Sequence, residues 1–268
     1  MTLSGLIDPL RLDPAVAAAS GAAREGLRPR LDLAAVPGLR APLLAAIASA
    51  DRPVLAVTAT GRETEDLAAA LRSLLGEGAV AEFPSWETLP HERLSPRSDT
   101  VGRRLAVLRR LAHPGPDDPL RVVVAPIRSV LQPQVAGLGE LEPVRVGAGQ
   151  EIELDEVTRR LVDAAYLRTD LVEKRGDFAL RGGILDVFPP TEEHPVRLEF
   201  WGDTVEEVRY FKVADQRSLE IAENGLWAPP CRELLLTETV RKRAHGYASE
   251  FPELADVFGK VEIGRAHV

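Results

Sequence analysis

Two kinds of apolar spacing run along the chain, and the change between them divides it. The first thirty residues carry Ala, Gly and Arg with little β-branching and read as helix and loop. Residues 29–50 end in a helix-like apolar repeat at Leu43, Leu44 and Ile47. Val54 to Thr58 then form a buried strand, flanked by Pro53 and the loop Thr60-Gly61. Residues 62–75 place Leu67, Leu71, Leu74 and Leu75 on one face and predict an amphipathic helix, stopped by Gly76 and Gly78. AVAEFP, residues 79–84, is a second short strand. Strand, loop, helix and strand in that order begin an open α/β sheet. A further helix over 103–111 ends in the breaker-rich stretch 113–119, and Val122, Val123 and Val124 follow as a buried strand, with Ser129 to Leu131 turning toward helix.

Near Pro143 the character changes. Residues 151–168 hold a helix with Val157, Leu161 and Ala165 on one face, and short alternating strands follow over 176–182, 184–189, 196–203 and 205–213. Gly182-Gly183 sits between two of these patterns and reads as a hairpin turn. The pattern is an α+β insert with an antiparallel sheet, whose core should come from Phe178, Leu180, Ile184, Val187, Leu198 and Phe200. Alternation places Arg197, Glu199 and Trp201 on one face of their strand and Leu198 and Phe200 on the other.

With 45% hydrophobic and 28% charged residues over 268 positions, the balance is that of a soluble globular chain of two ordinary domains. No apolar run approaches the roughly 20 residues that cross a bilayer, and no basic segment precedes the Ala-rich start, so the cytoplasm is the expected location and no membrane partner is expected. The single Cys231 excludes an internal disulfide and any Cys-based zinc site, and reads as a small packed residue. A net charge of −8 argues against tight non-specific DNA binding by the whole chain. The basic run Arg93, Arg97, Arg103, Arg104, Arg109 and Arg110 admits a DNA-facing patch, ion pairs with the excess carboxylates, or a solvated helix face; the last is the default expectation.

Catalytic patterns are missing. A nucleotide-binding loop needs glycines after the first strand and a Gly-Lys-Ser/Thr at the helix start, because backbone N–H groups cradle the phosphates and the lysine neutralises them. Here the position reads TATGRETEDLAAAL, with Thr58, Thr60, Gly61 and Arg62 as a degenerate phosphate loop. Glu63, Glu65 and Asp66 suit the helix dipole and would repel a triphosphate. Arg62 in place of the lysine is the alternative reading. The five histidines show no metal-ligand spacing, so no metal is expected. Asp177, Asp186 and Asp203 read as turn and cap residues.

Two segments carry a resemblance. FPSWETLPHERLSPRSDTVGRRLAVLRRL (83–111) pairs an aromatic-acidic turn with a Ser-Pro step and a basic helix. RGDFALRGGILDVFPP with PVRLEFWGDTVEEVRYFKVADQRSL (175–219) holds a Gly-Asp-Phe hairpin, an Arg-Gly-Gly turn, Asp-Val-Phe-Pro and Gln-Arg-Ser. Together they resemble the amino-terminal, UvrB-like module of the bacterial transcription-repair coupling factor (Mfd) family, over about 31–261. UvrB itself is similar over the second segment but keeps an intact phosphate loop, so TATGRETEDL favours the coupling factors.

The resemblance implies an α/β fold: a degenerate helicase-type parallel sheet (Rossmann-like, P-loop NTPase-like) with a small helical insertion and an inserted α+β antiparallel UvrA-binding domain. The implied divisions are an extension over 1–27, the core over 28–99, the helical insertion over 100–141, the UvrA-binding domain over 142–217 and a return to the core over 218–261. Gln216-Arg217-Ser218 would be the hinge of that return. The last residues, 262–268, match one reading frame of a common sequencing-adapter start and are expected to be non-native.

The implied function is recruitment of UvrA to stalled RNA polymerase in transcription-coupled nucleotide excision repair, without ATPase activity of its own. The parent would be an ATP-dependent DNA translocase that displaces the polymerase. ATP and magnesium are expected only in translocase domains outside this span, and no cofactor within it. RNA polymerase and double-stranded DNA would be bound through those other domains, and a carboxy-terminal domain of the intact protein would hold the UvrA surface shut. Arg181 and Arg197 match family arginines that contact UvrA, and Trp201 stands where relatives usually have Phe. UvrB clamps DNA with an aromatic hairpin; residues 100–141 contain no Tyr, Phe or Trp, so no such clamp is expected. The alternative is a UvrB-like DNA-dependent ATPase and damage-verification subunit. A CarD-like polymerase-binding fragment lacks the SH3-like barrel pattern that it needs.

Overall fold

The computed structural model describes residues 2–26, 30–48, 52–89, 94–115 and 119–262. Arg93 and the tail 263–268, singled out above, lie outside the described residues. The chain divides into two compact units, one of residues up to Ser85 with Val107–Pro133, the other of Trp86–Ala106 with residues from Gln134 onward.

In the first unit, α1 (Ile7–Arg11), α2 (Pro14–Glu25) and α3 (Arg40–Ile47) precede β1 (Val54–Thr58), α4 (Gly61–Leu75) and β2 (Val80–Glu82). The end of α5 (Ser98–Ala112), then β3 (Val122–Pro126) and α6 (Ile127–Leu131), complete it. Local chemistry sets the ends of α2. The Asp13 carboxylate accepts from the Ala15 and Val16 amides, Pro14 opens the helix, and Gly26 closes it at φ 65°.

The three strands form a parallel sheet in the order β1-β3-β2. Val122 and Val124 of β3 pack with Ala56, Ala68, Leu71 and Leu74 on the α4 side. Val123 and Ala125 pack with Ala81, Phe83 and Val107 on the α5 side. Burial on both faces is why β3 reads as an unbroken apolar run rather than an alternation. The stretch 100–141 is therefore not simply a helical insertion, since it supplies the central strand of this sheet.

The second unit holds the beginning of α5, β4 (Val144–Val146), α7 (Leu154–Asp163) and β5 (Leu167–Arg168). β6 (Asp177–Arg181), β7 (Ile184–Val187), β8 (Val196–Trp201), β9 (Thr204–Phe211), β10 (Ser218–Ile221) and β11 (Leu226–Ala228) follow. A helical hairpin, α8 (Glu238–Glu250) and α9 (Ala255–Glu262), ends the described chain. Its main sheet has six strands in the order β10-β9-β8-β7-β6-β5, antiparallel except for β5 beside β6. β4 and β11 form a separate antiparallel pair.

One face of the six-stranded sheet is packed under α7. Val157 and Leu161 of the helix meet Phe178, Leu185, Val187, Leu198 and Val208, with Val144, Val146, Leu226 and Ala228 from the β4–β11 pair. Phe200 packs against this core half-buried, as Leu180 is also half-buried. Ile184 departs from the expectation. Leu185, not Ile184, shares a face with Val187, because residues an odd number apart on a strand point to opposite sides.

The expected return to the core at 218 also differs. β10 is the edge strand of the six-stranded sheet, and β11 pairs with β4 in the same unit. Gln216 takes the left-handed conformation (φ 60°) and its Nε2 donates to the Val213 carbonyl at 2.9 Å, closing the β9–β10 connection as a tight turn rather than a hinge.

Arg104, expected on a solvated helix face, is fully buried. Its Nε donates to Glu233 Oε1 at 2.5 Å, and Trp86 Nε1 donates to the same oxygen at 3.0 Å. The guanidinium lies 5.2 Å from the centre of the Trp86 ring. Arg103 and Arg97 do face solvent, the latter pairing with Asp99 at 3.2 Å, while Arg110 donates to the Gly78 carbonyl. No helix among the described residues is long and apolar enough to cross a membrane.

Removing one member of a buried pair strands the other charge out of water, at a cost of about 3–5 kcal/mol. Arg104→Ala leaves the Glu233 carboxylate, 7% exposed, without its guanidinium and should therefore lower the stability of the second unit by about that much in urea titrations. A loss below about 1 kcal/mol, the value of a surface pair, would show that this ion pair does not anchor Trp86–Ala106 to the rest.

Candidate partner-docking face

The opposite face of the six-stranded sheet is built by the same alternation. β6 and β7 meet through the two-residue turn Gly182-Gly183, so Arg181 pairs with Ile184 and Ala179 with Asp186. Gly182 has φ 61°, and a Cβ on Gly183 would lie 2.8 Å from the Phe200 carbonyl oxygen, so both positions require glycine. Across β7 and β8, Asp186 pairs with Arg197 and Ile184 with Glu199. Arg181, Ile184, Asp186, Arg197 and Glu199 thus share one side, and Trp201 follows two residues after Glu199. A register shift between β8 and β9 beyond Glu199 leaves the alternation along β8 itself intact.

Asp186 organises this face. It sits mid-strand and is fully buried, so it is not the turn or cap residue expected. Its carboxylate accepts from Arg181 Nη2 at 2.6 Å and from Arg197 Nε and Nη2 at 2.7 and 2.9 Å. Arg197 Nη1 also donates to the Gln216 carbonyl at 3.3 Å, and its guanidinium lies 4.6 Å from the centre of the Phe211 ring. Phe211 belongs to a small apolar cluster with Val172, Ala179 and Phe188. Hydrogen bonds from Arg197 to Asp186 hold the guanidinium above its ordinary pKa, outweighing the opposing effect of burial.

The three expected docking residues therefore differ in availability. Trp201 is 77% exposed at the end of β8, beside the turn Gly202-Asp203. The Arg181 side chain is 47% exposed and that of Arg197 only 13%. Asp203 lies in its turn as expected, and Asp177 acts as a cap, its Oδ2 accepting from the Glu173 and Lys174 amides. Asp186 was missed because its partners, five and eleven residues away, lie on two strands. The available signal was an acid flanked by core residues on a strand whose neighbours carry arginines.

At residues 58–62, where a degenerate phosphate loop is expected, the chain caps its own helix. Thr60 Oγ1 accepts from the Glu63 amide at 3.2 Å, and Thr58 and Thr64 hydroxyls meet at 2.6 Å. Arg62 is exposed. Among the described residues no group of His, Cys, Asp and Glu could hold a metal ion.

Residues 144–229 match the model of the UvrB interaction domain. The chain is 56% identical over 236 residues to the transcription-repair-coupling factor of Mycobacterium tuberculosis, covering 85% of this chain and 19% of that protein. The transcription-repair-coupling factor of Myxococcus xanthus is 37% identical over 218 residues, 78% of this chain and 18% of that protein. The chain belongs to the transcription-repair coupling factor family. The UvrABC system protein B of Streptomyces coelicolor is a more distant relative, 33% identical over 171 residues, 58% of this chain and 23% of that protein. The chain spans about a fifth of the length of the transcription-repair-coupling factors it matches.

The UvrB interaction domain match begins on β4 and ends just past β11, the two strands that pair, and it contains Arg181, Asp186, Arg197 and Trp201. Immediately after it, Cys231 is buried and donates its amide to the Ala164 carbonyl at 2.9 Å. Burial pushes its thiol from an ordinary 9.0 up to about 12, which leaves it inert as a nucleophile. The folded chain should react negligibly with a disulfide reagent at pH 8, and the urea-unfolded chain rapidly. Because the folded pKa is raised, the thiol's contribution to stability is full below about pH 9 and is lost as pH rises through about 12. Fast labelling of the folded chain at pH 8 would contradict this packing.

Proposed function

We propose that this segment docks UvrA through the outer face of the six-stranded sheet, and so recruits the excision machinery in transcription-coupled nucleotide excision repair. The observation that carries the reading is Trp201, 77% exposed on the same sheet face as the half-exposed Arg181, inside the UvrB interaction domain match. A large exposed aromatic next to a guanidinium is the composition of an interface hot spot. Charge-assisted bonds from arginine to partner carboxylates around a desolvated ring concentrate binding energy there.

The parent protein, on this reading, is an ATP-dependent DNA translocase that displaces stalled RNA polymerase in the cytoplasm. It grips polymerase and double-stranded DNA through domains outside this span, and its carboxy-terminal domain covers the UvrA face at rest. The parallel sheet β1-β3-β2 with α4 is the degenerate, helicase-type core of the UvrB-like fold. This core carries out no ATP hydrolysis and uses no cofactor. Support comes from the capped α4 start, where Thr60 occupies an amide that a phosphate would need and no lysine follows Gly61.

The likeness to UvrABC system protein B favours a second reading, a DNA-dependent ATPase. Calorimetric titration with magnesium-ATP separates the two. Saturable ATP binding would support the second reading, and no heat of binding the first.

For the docking face, Arg181→Ala and Trp201→Ala should each weaken binding to cognate UvrA by about 1–3 kcal/mol. Circular dichroism should show the fold unchanged. Unchanged affinity in both variants would move the interface elsewhere.

A further inference from the structure

Arg181 and Arg197 share the docking face but not the same surroundings. Arg197 commits Nε and Nη2 to Asp186 and Nη1 to the Gln216 carbonyl, and stacks over Phe211, with 13% of its side chain exposed. Among the described residues the Arg181 side chain makes a single hydrogen bond, from Nη2 to Asp186, and it is 47% exposed. The carboxylate between them has a side-chain exposure of 1%. We propose that Asp186 is a positioning residue for partner docking, with Arg197 as the clamp that fixes it and Arg181 as the group that meets the partner.

This rests on UvrA docking to that face, and it assigns the two arginines different roles. The cluster of one carboxylate and two guanidiniums keeps one net positive charge, which Arg181 carries at the surface. A free arginine samples many rotamers, and ordering it on binding costs affinity. Held by Asp186, Arg181 stands already oriented. With three of its five N–H donors committed and only 13% of its side chain exposed, Arg197 offers a partner little, so its work is to fix the direction of the Asp186 carboxylate. A partner suited to this geometry offers an acidic side chain to the outer edge of the Arg181 guanidinium and an apolar surface to Trp201.

A charge-only account predicts the opposite sign for one variant. Asp186→Asn raises the local charge, so a face that works by positive potential alone would bind an acidic partner more tightly. Positioning predicts weaker binding, and only while Arg181 is present. The test is a double-mutant cycle by calorimetry with cognate UvrA, using Asp186→Asn, Arg181→Ala and their combination. Asp186→Asn should weaken binding about tenfold, the loss of one charge-assisted hydrogen bond. In the Arg181→Ala background it should change binding by less than about twofold.

Arg197→Lys keeps the charge but cannot form the bidentate contact, so it should reproduce the Asp186→Asn loss and add little to it. It also carries the test should Asp186→Asn fail to fold, as melting curves and amide exchange across β7 and β8 would reveal. Tighter or unchanged binding in Asp186→Asn, alongside weaker binding in Arg181→Ala, overturns the positioning role and leaves the docking face standing. An equal loss with and without Arg181 also overturns it, since a general structural defect would produce that. Full affinity in both Arg181→Ala and Trp201→Ala overturns the docking face itself, and this proposal with it.

Discussion

Leu185 and Asp186 are sequence neighbours held in opposite environments, and most of the second unit follows from that constraint. On one side of β7, Leu185 and Val187 join Leu198, Val208 and the α7 residues Val157 and Leu161 in a closed core. On the other, a buried carboxylate lies in the middle of the sheet. Burying an unpaired carboxylate costs several kcal/mol. Two guanidiniums on flanking strands offset that cost, and the stack of Arg197 on Phe211 shields the pair from one end. A slip of one residue in register would place the acid in the apolar core and Leu185 in water, so core and charge cluster fix the same pairing.

That double specification suits a docking surface. The backbone under Arg181 and Trp201 is held on both faces, so a partner meets a preformed pattern of charge and aromatic surface. The first unit presents a different case. Its parallel sheet leads into an α4 whose first turn is capped by Thr60 and carries acidic residues after Arg62. Architecture persists there because the sheet needs its core, Val122 and Val124 on Leu71 and Leu74, whether or not a ligand binds.

Periodicity alone disclosed β1–β3 and β6–β9, the amphipathic helices α4, α5 and α7, the Gly182-Gly183 turn and the shared face of Arg197, Glu199 and Trp201, but not β4, β5, β10, β11 or the α8–α9 hairpin. What stayed hidden depends on contacts distant in sequence. Arg104 meets Glu233 across 129 positions, and nothing local distinguishes it from the solvated Arg103 beside it. Ile184 and Leu185 are interchangeable in a four-residue strand until its register is known. Gln216 looks like a linker because only the structure shows its left-handed backbone closing a turn between β9 and β10. Of the docking face, the exposed aromatic and arginine were legible, while the acid beneath them was not. A single carboxylate among hydrophobic residues can end a strand, cap a turn or pair across a sheet.

The claim that the outer sheet face receives UvrA is tested most directly by amide hydrogen exchange of the chain, alone and bound to UvrA. The account predicts that protection on binding concentrates in two short stretches, 181–184 and 199–204, which border the Arg181 and Trp201 positions. It predicts little change along α5 or in the α8–α9 hairpin. Protection confined to either of those helical regions, with the two sheet stretches exchanging as in the free chain, would contradict it.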